Sequence, residues 1–369
     1  MRPLRVLLIA NDGFSVGHVA RMIAIAGGLA RVAERRALAL QTVLATTSSA
    51  DALLGGARAT VVRLPAPEAG RRGGLGDVER RSLVRGAIAG IVDGFAPDLL
   101  VADTFPSGPH GELAGVQRAG MQRALVRRAT AGQGELPPGL AGALTAGLAG
   151  HALAVLVADP GPLAPAAAGL GDFAGAVRPV APIARLDDAL DRGAARAALG
   201  LDGRVILVAA GGGGDRAAAD RALSLARAIV RIAPDARVVL ATGPLAADAA
   251  AANETGGDPR IRAMRCAPLA TVMRGFDGAF APAGYNTAHE LAALGVPAAL
   301  FAQPRTFDDQ AARAARLAAG GWAHALVRFD DDAIAAALAW MARAVLPPLA
   351  TGGEGEAAEA LIALATGAA

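Results

Sequence analysis

The chain has no lysine, one cysteine and few aromatic residues, and each shortage excludes a class of chemistry. All 36 basic residues are arginine, so the lysine of a phosphate-binding P-loop is absent. Cys266 is the single cysteine, which excludes an intramolecular disulfide and a cysteine-based zinc cluster. Phe, Trp and Tyr make up 3% of the residues. This is too little for base-stacking surfaces, so we expect no nucleic-acid partner.

Length and hydropathy indicate a two-domain globular protein. The 369 residues are 53% hydrophobic and 19% charged, and a well-packed chain of this length usually divides into two domains. The apolar run at residues 140–157 contains glycine and a histidine, so we interpret it as core and not as a membrane span. Residues 1–10 lead directly into an apolar strand pattern without a signal peptide, and we therefore expect a cytoplasmic protein.

The arginines are unevenly distributed. Residues 1–185 hold 19 of the 36 arginines and 13 of the 33 acidic residues, a net charge of +6 against −3 for the rest of the chain. Two interpretations stay open. This half attracts an anionic acceptor or makes a peripheral contact with the inner face of a membrane, or it is a solvated surface in a chain that uses no lysine. The clusters concerned are Arg71, Arg72, Arg80, Arg81 and Arg85, and Arg123, Arg127 and Arg128.

Short apolar runs alternate with longer helical patterns along the whole chain, which predicts parallel α/β layers. Strands are expected at residues 5–10, 40–46, 60–64, 99–102, 153–158, 204–209, 237–241, 261–265, 278–280 and 298–301. Helices are expected at residues 17–34, 78–94, 188–199, 216–232, 286–294, 331–344 and 354–364. Prolines near residue 180 indicate a boundary between a domain at 1–185 and one at 186–345, followed by a C-terminal helix within 346–369. The segment 64–76 is expected to be a loop over an acceptor site.

The most informative segment is residues 282–310. A turn of small residues ending at Gly284 leads into a helix expected to begin at Asn286 or Thr287, with Glu290 in its first turn. Free N–H groups at such a helix start bind phosphate, whereas a carboxylate one turn further accepts hydrogen bonds from sugar hydroxyls. An Asp-Gln pair at 309–310 offers polar groups to a second sugar. Phosphate, diol and sugar together indicate a nucleotide-sugar site.

Glu290 also has a structural explanation. A carboxylate in the first turn stabilises the helix dipole. Thr287, three residues earlier, would complete a capping box with it. A purely helix-stabilising role for Glu290 therefore stays open beside the ligand-binding one.

Three other features suggest chemistry. His18 follows the first strand and Asp103 follows the strand at 99–102, so both lie at the carboxyl edge of the expected sheet, where α/β proteins bind ligands. An imidazole there can deprotonate an acceptor hydroxyl, and a carboxylate can orient the imidazole. The alternatives are that His18 only packs at a helix start and that Asp103 caps the turn after it. A glycine run at 211–214 lets a ligand approach backbone N–H groups.

Four segments together resemble the GT-B glycosyltransferases, and most closely glycosyltransferase family 28, which includes the UDP-GlcNAc transferase of lipid II synthesis. They are residues 11–18 (NDGFSVGH), 107–114 (SGPHGELA), 210–214 (AGGGG) and 282–310. The resemblance covers most of the chain. It implies an α/β GT-B fold, in which two Rossmann-like, doubly wound parallel-sheet domains face each other across a cleft. The N-terminal domain would bind the acceptor and the C-terminal domain the donor.

On the donor side, the resemblance implies that Glu290 binds the ribose hydroxyls of UDP. Asp309 and Gln310 would contact the donor sugar, and backbone groups around Arg265 would meet the uracil edge. The residues implied around the diphosphate are Gly212, Gly213, Gly284, Tyr285, Asn286 and Thr287. The chain departs from the family at Tyr285, where a smaller residue is usual.

On the acceptor side, the resemblance implies that His18 is the base or another acceptor-site residue. Asp103 is a candidate to assist it, as in related plant-type glycosyltransferases that pair a His and an Asp in comparable places, and Asp12 is a further candidate carboxylate. Gly17 and His110 would lie near the acceptor. The chain departs from the family's opening loop, because Asn11-Asp12-Gly13-Phe14 replaces a run of small residues. The acceptor is therefore left open as a natural product, an envelope glycan or a lipid-linked precursor.

These observations predict an inverting glycosyltransferase that moves a sugar, with GlcNAc as the first choice, from a UDP-sugar to an acceptor hydroxyl. No Asp-x-Asp pair stands at a strand end as a metal–diphosphate clamp, so neither a metal nor another cofactor is expected. Two alternatives stay open. One is a nucleotide-sugar epimerase or hydrolase of the same fold, and the other is a non-catalytic nucleotide-sugar-binding protein.

Overall fold

The chain folds into two compact units. The computed structural model describes residues 2–10, 16–128, 138–159, 169–212, 215–245, 257–305 and 308–368. Unit 1 comprises Met1–Ile183 and Gly352–Ala369, and unit 2 comprises Ala184–Thr351. The chain thus leaves unit 1 once and returns to it for its last helix.

Unit 1 contains seven parallel strands in the order β3-β2-β1-β4-β5-β6-β7. The strands are β1 Leu4–Ala10, β2 Leu40–Thr46, β3 Thr60–Arg63, β4 Leu99–Asp103, β5 Gln122–Arg128, β6 Leu153–Val157 and β7 Ala176–Val180. The first helices are α1 Gly17–Arg35, α2 Asp51–Leu54, α3 Pro67–Arg72, α4 Asp77–Phe95 and α5 Pro138–Thr145. The strand order reverses between β1 and β4, and such a switch point is where open α/β sheets bind ligands.

Unit 2 repeats this arrangement with six parallel strands in the order β10-β9-β8-β11-β12-β13. The strands are β8 Arg204–Ala209, β9 Ala236–Thr242, β10 Ile261–Arg265, β11 Gly278–Pro282, β12 Ala298–Phe301 and β13 His324–Ala325. The helices are α6 Arg192–Leu199, α7 Arg216–Ile232, α8 Tyr285–Ala293, α9 Gln310–Ala319 and α10 Asp331–Met341. The switch point here lies between β8 and β11. The predicted pair of doubly wound parallel-sheet domains is confirmed.

The central strands form because their apolar side chains are buried on both faces of each sheet. All five residues of β4 are buried, as are five of the six residues of β8. Such continuous apolar runs are typical of parallel strands covered on both sides. The strands predicted at 40–46, 204–209, 261–265 and 298–301, and the helix predicted at 216–232, have the observed bounds.

The C-terminal helix, α11 Gly353–Thr366, packs against α1 in unit 1. Gly28 permits this approach, because a Cβ at that position would lie 2.3 Å from the carbonyl oxygen of Glu354. The Arg31 guanidinium also pairs with Glu354 Oε1 at 3.3 Å. A side chain at position 28 would therefore push α11 away from α1.

Strand β5 is absent from the expected strands because its sequence, QRALVRR, contains three arginines. Arg123 and Arg127 are nevertheless only 9% and 0% exposed. Their guanidinium groups donate to backbone carbonyls of the loops that cover this part of the sheet, including those of Pro106 and Thr104. The prediction of a basic surface cluster at Arg123, Arg127 and Arg128 is therefore wrong for its two buried members, because carbonyl groups and not water solvate their charges.

The other predicted basic cluster is mostly on the surface. Arg71, Arg72, Arg81 and Arg85 are exposed, whereas Arg80 is 5% exposed. Among the described residues, no helix has both the length and the apolar character needed to cross a membrane. A peripheral membrane contact of this half stays a prediction and now depends on the four exposed arginines.

Several helix starts differ from the expectation. The segment 64–76 is not entirely loop, since it contains α3 with Pro67 at its start, where proline is well tolerated. The helix expected at 188–199 begins only at Arg192, because Asp191 caps it by accepting the Ala194 N–H at 2.8 Å. The polar pair at 309–310 opens a helix, α9, that is missing from the expected set.

Candidate active site

The carboxyl ends of β1 and β4 bring the predicted base and its carboxylate together. His18 is the second residue of α1, which follows β1, and Asp103 is the last residue of β4. The two strands are neighbours, with Ile9 opposite Ala102. His18 Nδ1 lies 3.2 Å from Asp103 Oδ1, although 85 positions separate the residues. The two side chains are therefore in hydrogen-bond contact at the switch point of unit 1.

Arg21 belongs to this cluster and was missed by sequence reasoning. It follows His18 by one helix turn on α1. Its Nε donates to Asp103 Oδ2 at 3.0 Å, and its Nη2 donates to Oδ1 at 2.5 Å. A two-point contact of this kind is the strongest that arginine makes with a carboxylate. The i, i+3 spacing of His18 and Arg21 is the signal that was available, because such residues share one helix face.

Burial distinguishes the three side chains. Those of Arg21 and Asp103 are 3% and 1% exposed, whereas that of His18 is 26% exposed. Burial alone would raise the pKa of Asp103, but the Arg21 guanidinium, the His18 imidazole and their hydrogen bonds outweigh it and hold this pKa well below its usual range. An ionised carboxylate only accepts hydrogen bonds, so Nδ1 of a neutral His18 carries the proton and Nε2 keeps the lone pair. His18, the most exposed of the three side chains, can thus act as a base through Nε2.

Thr104 fixes the end of β4. Its φ of +63° lies in the left-handed region, which β-branched residues rarely adopt. Its hydroxyl donates to Asp103 Oδ1 at 2.7 Å, and its carbonyl accepts from Arg127 Nη2 at 2.7 Å. These bonds offset the cost of the strained backbone. The turn therefore holds Asp103 toward α1.

The other predicted acceptor-side residues lie in different places. Gly17 is the first residue of α1 and adjoins His18. His110 lies on an exposed turn after β4, and its backbone N–H donates to Glu112 Oε2 at 2.9 Å. Asp12 lies outside the described residues. The acceptor roles of these three residues stay predictions.

In unit 2, Glu290 lies further along its helix than expected. Helix α8 begins at Tyr285 with Gly284 as N-cap, so Glu290 is in the second turn and Thr287 in the first. The expectation of a first-turn Glu290 is therefore wrong. Both structural explanations built on it, the dipole charge and the Thr287 capping box, fail for the same reason. The start of the helix could not be predicted from the sequence, because its N-cap, Gly284, has no side chain of the usual capping type.

Glu290 is buried, and among the described residues no arginine is hydrogen-bonded to it as Arg21 is to Asp103. Glu290 is 9% exposed, and burial raises its pKa to about 7 despite a lowering effect of the Arg185 charge. Within the described part of the chain, no hydrogen bond reaches its carboxylate. A buried polar group without hydrogen bonds is costly unless something else supplies them. This carboxylate is therefore suited to accept hydrogen bonds from a ligand.

The start of α8 differs from those of four other helices in unit 2. Helices α6, α7, α9 and α10 each begin with an aspartate whose side chain accepts a backbone N–H, and these caps are Asp191, Asp215, Asp309 and Asp330. Helix α8 begins at Gly284 with no side-chain cap, and a Cβ added there would meet nothing within 4 Å. Its first turn, with Asn286 and Thr287 half-buried, is thus free of the carboxylate that would repel a phosphate.

The loops that follow β8, β9 and β10 contact one another at the carboxyl edge of the unit 2 sheet. Gly211, after β8, has a φ of +96°, which explains a glycine there. A Cβ on Gly243, after β9, would lie 2.2 Å from the carbonyl oxygen of Gly211 and 2.2 Å from the carbonyl carbon of Gly212, so these two backbones touch. Arg265 ends β10, and its Nη2 donates to the Pro244 carbonyl at 3.0 Å. Gly213 lies outside the described residues.

Asp309 and Gln310 have structural tasks that the sequence pattern did not reveal. Asp309 Oδ1 accepts the Ala312 N–H at 2.9 Å as the cap of α9. Gln310 is 5% exposed, and its Oε1 accepts the Gln303 N–H at 3.0 Å. Their predicted contact with a donor sugar remains a prediction.

Arg305 is a cationic group near this edge that the sequence analysis did not single out. Its Nη2 donates to Gln303 Oε1 at 2.8 Å, and its Nη1 lies 3.6 Å from Asp215 Oδ2. Gln303 Oε1 would in turn lie 3.7 Å from a Cβ on Gly211. No group of three His, Cys, Asp or Glu side chains that could hold a metal ion occurs among the residues described.

Comparison with known proteins identifies the fold. No protein-family model matches the chain, and no curated protein matches it. Medicago truncatula UGT71G1 complexed with UDP-glucose is similar at a TM-score of 0.63 and 13% identity over 98% of each chain. CalG4, the calicheamicin glycosyltransferase, is similar at 0.60 and 19% over the whole of each chain. A candidate UDP-N-acetylglucosamine 2-epimerase from Listeria monocytogenes is similar at 0.61 and 14% over 98% of this chain and 96% of that one. None of these matches singles out glycosyltransferase family 28. The chain has the GT-B fold, as predicted.

Proposed function

We propose that the chain is an inverting glycosyltransferase that transfers a sugar from a UDP-sugar to an acceptor hydroxyl without a metal ion. The observation that carries this proposal is the contact of His18 with the buried Asp103 at the switch point of unit 1. The similar folds of the calicheamicin glycosyltransferase and of UGT71G1 complexed with UDP-glucose support it. UDP-GlcNAc is the first donor to test.

In this mechanism, His18 Nε2 takes the proton of the acceptor hydroxyl while the hydroxyl oxygen attacks the anomeric carbon. The bond from that carbon to the β-phosphate oxygen breaks on the opposite face, which inverts the anomeric configuration. Asp103 accepts from Nδ1 and stabilises the imidazolium that forms, and Arg21 keeps Asp103 in place. A base positioned in this way contributes about 10²–10⁴-fold to the rate.

The donor half of the proposal concerns the leaving UDP. Backbone N–H groups at the start of α8, together with Arg305, would neutralise the charge that develops on the diphosphate. Glu290 would accept hydrogen bonds from the two ribose hydroxyls, which supplies the partners its buried carboxylate lacks. Asp309 and Gln310 stay the proposed contacts to the donor sugar.

Calorimetric titration with UDP, UDP-GlcNAc, UDP-glucose, GDP and dTDP tests the donor assignment. We expect selective binding of the uridine nucleotides. Glu290→Ala should weaken it by about 1–3 kcal/mol, the cost of losing a buried polar partner. Glu359→Ala is the control, because this glutamate pairs only with Arg35 and Arg36 on the surface of unit 1. If no uridine nucleotide binds the wild-type chain, the proposal is overturned.

A second candidate, an epimerase or hydrolase of nucleotide sugars, is favoured by the Listeria match. The two candidates differ in their need for an acceptor. A transferase should release UDP from UDP-GlcNAc only when a suitable hydroxyl compound is added, and His18→Ala should slow this release by about 10²–10⁴-fold. Equally fast turnover of the donor without any acceptor would select the epimerase or hydrolase.

A further inference from the structure

Unit 1 has a polar cavity that the proposed transfer does not use. Its volume is about 220 Å³, and its lining includes Gln117, Arg118, Gln122, Arg123, Gly150 and Ala152. Strands β5 and β6 begin at Gln122 and Leu153, so the cavity lies at the amino ends of these strands. His18 and Asp103 lie at the carboxyl ends of their strands, on the opposite edge of the same sheet.

Arg123 is the buried charge of this cavity. Its Nη1 and Nη2 donate to the carbonyls of Val116 and Pro106 at 3.4 and 3.0 Å, whereas its Nε has no hydrogen-bond partner among the described residues. The side chain is 9% exposed, and burial lowers its pKa. The carbonyl partners accept its hydrogen bonds but do not neutralise its charge, and a buried charge is costly unless it is also paired.

Other buried arginines of the described chain lie near carboxylates. Arg21 pairs with Asp103, and Arg313 Nη2 lies 2.7 Å from Asp308 Oδ1. The charge of Asp103 also acts on Arg127 and offsets part of the effect of its burial. No ion pair between Arg123 and a described carboxylate occurs. The positive charge of Arg123 is therefore the one in this group that lacks an anion.

Neighbouring side chains add donors and no negative charge. Arg118 is exposed, and its side chain makes no hydrogen bond or ion pair within the described ranges. His151, between the lining residues Gly150 and Ala152, is 4% exposed, and its Nε2 lacks a partner among described residues. Burial and then the charge of Arg123 lower the pKa of His151 to about 4. The imidazole is thus neutral near pH 7 and does not add a second buried charge.

We propose that this cavity binds a small oxyanion of the phosphate type between Arg118 and Arg123. The guanidinium groups of Arg118 and Arg123, which both line the cavity, would donate charge-assisted hydrogen bonds to its oxygens. The side-chain amides of Gln117 and Gln122 would add neutral donors. The oxyanion supplies the negative charge that the fold does not place beside Arg123.

Equilibrium dialysis of the full chain against labelled inorganic phosphate, with sodium chloride adjusted to constant ionic strength, tests this assignment. We expect one phosphate per chain, bound about tenfold more weakly by Arg118→Gln, the effect of losing one hydrogen bond to a charged group. Arg118 is exposed, so the variant should fold. Arg328→Gln is the matched control, because Arg328 is an exposed arginine of unit 2 whose Nε lies 3.3 Å from Asp330 Oδ2.

Two outcomes would overturn the assignment. They are no saturable binding to the wild-type chain and equal binding by the Arg118→Gln variant. The dialysis needs neither a sugar donor nor an acceptor, so its result is separate from the outcome of the glycosyltransferase tests.

Discussion

Asp103 and Glu290 are two buried carboxylates near the switch points of their units. Asp103 ends β4 in unit 1, and Glu290 lies on α8, the helix that follows β11 in unit 2. Asp103 receives hydrogen bonds from Arg21, Thr104 and His18, and its pKa lies well below the usual range. Glu290 receives none from the described residues, and burial raises its pKa to about 7. Burial acts on both groups in the same direction, so the donors that surround each group decide the difference.

The comparison suggests a division of tasks. A carboxylate that must orient a base needs a fixed charge in every state of the protein, and the chain itself provides the cation that fixes it. A carboxylate that binds a ligand can leave its hydrogen bonds to the ligand, at a cost to the stability of the empty site. On this account, the hydrogen bonds of Asp103 in unit 1 are formed before any ligand binds, whereas those of Glu290 in unit 2 form only with the ligand.

The largest effect is expected from removing the fixed cation with Arg21→Met. The variant leaves Asp103 buried with only its weaker partners, and breaking a buried ion pair costs about 3–5 kcal/mol. We expect a loss within this range in urea unfolding at pH 7. The folded-state pKa of Asp103 is lowered by Arg21. The stability that this pairing provides is therefore present above the ordinary pKa of about 3.8 and is lost as the pH falls toward the folded value, so the deficit of the variant should shrink in acid.

Arg31→Met is the control for this experiment. Arg31 lies on the same helix, but its pair with Glu354 is more exposed, at 31% and 15% of the two side chains, and such pairs contribute about 0–1 kcal/mol. If the two variants lose equal stability, the Arg21–Asp103 pair contributes no more than an ordinary surface pair. Asp103 would then not differ from Glu290 by having a stabilising cation.

The strands could be predicted where a continuous apolar run indicates burial. They could not be predicted where burial depends on hydrogen-bond partners from distant parts of the chain. Strand β8 and the second half of β2 are buried on both faces, so their sequences sufficed. In contrast, β5 is buried because carbonyls from other loops accept the hydrogen bonds of Arg123 and Arg127. No local pattern of residues specifies that arrangement.

The site shows the same limit. The positions of His18 and Asp103 followed from strand ends, because chain order in a doubly wound sheet determines which ends meet. Whether Arg21 contacts Asp103 depends on the rotation of α1 about its axis. The positions of His18 and Asp103 in the sequence do not specify that rotation. The displaced turn of Glu290 followed from a helix start whose cap, Gly284, has no side chain to identify it.

A smaller effect is expected when the other carboxylate is neutralised by Glu290→Gln. The folded-state pKa of Glu290 is raised from 4.5 to about 7, so its protonated form costs nothing extra below pH 4.5. As the pH rises from about 4.5 to 7, the unfolded chain ionises first and the wild type loses roughly 3 kcal/mol relative to the variant. Urea unfolding of the full chain should therefore show Glu290→Gln gaining on the wild type between about pH 4.5 and pH 7.

Glu359→Gln provides the reference for the pH series, because this side chain is 38% exposed. Its difference from the wild type should stay nearly constant across the same pH range. A constant difference for Glu290→Gln as well would mean that Glu290 ionises normally in the folded chain. The pKa values of Asp103 and Glu290 would then not be shifted in opposite directions.

The smallest effect on stability is expected at the start of α8, where Gly284→Asp adds the type of cap that α6, α7, α9 and α10 already have. Gly284 has a φ of −61° and a ψ of 144°, and a Cβ there meets no atom within 4 Å, so the substitution introduces no strain. Replacing a glycine cap with aspartate gains only a few tenths of a kcal/mol, that is about 0.3. Its matched control is Gly284→Asn, which adds the same shape without the charge.

The two substitutions should separate in ligand binding, although they are nearly equal in stability. An added carboxylate next to a bound diphosphate should weaken UDP binding about tenfold relative to Gly284→Asn, because like charges repel near a helix start. Uridine, which has no phosphate, should bind both variants equally. If UDP also binds them equally, the diphosphate does not lie at the start of α8. Ligand completion in unit 2 would then rest on Glu290 alone. If Gly284→Asp binds UDP more weakly, as expected, the absence of an acidic cap on α8 is what allows unit 2 to bind the diphosphate. In unit 1 the negative charge of Asp103 is instead paired within the protein, by Arg21.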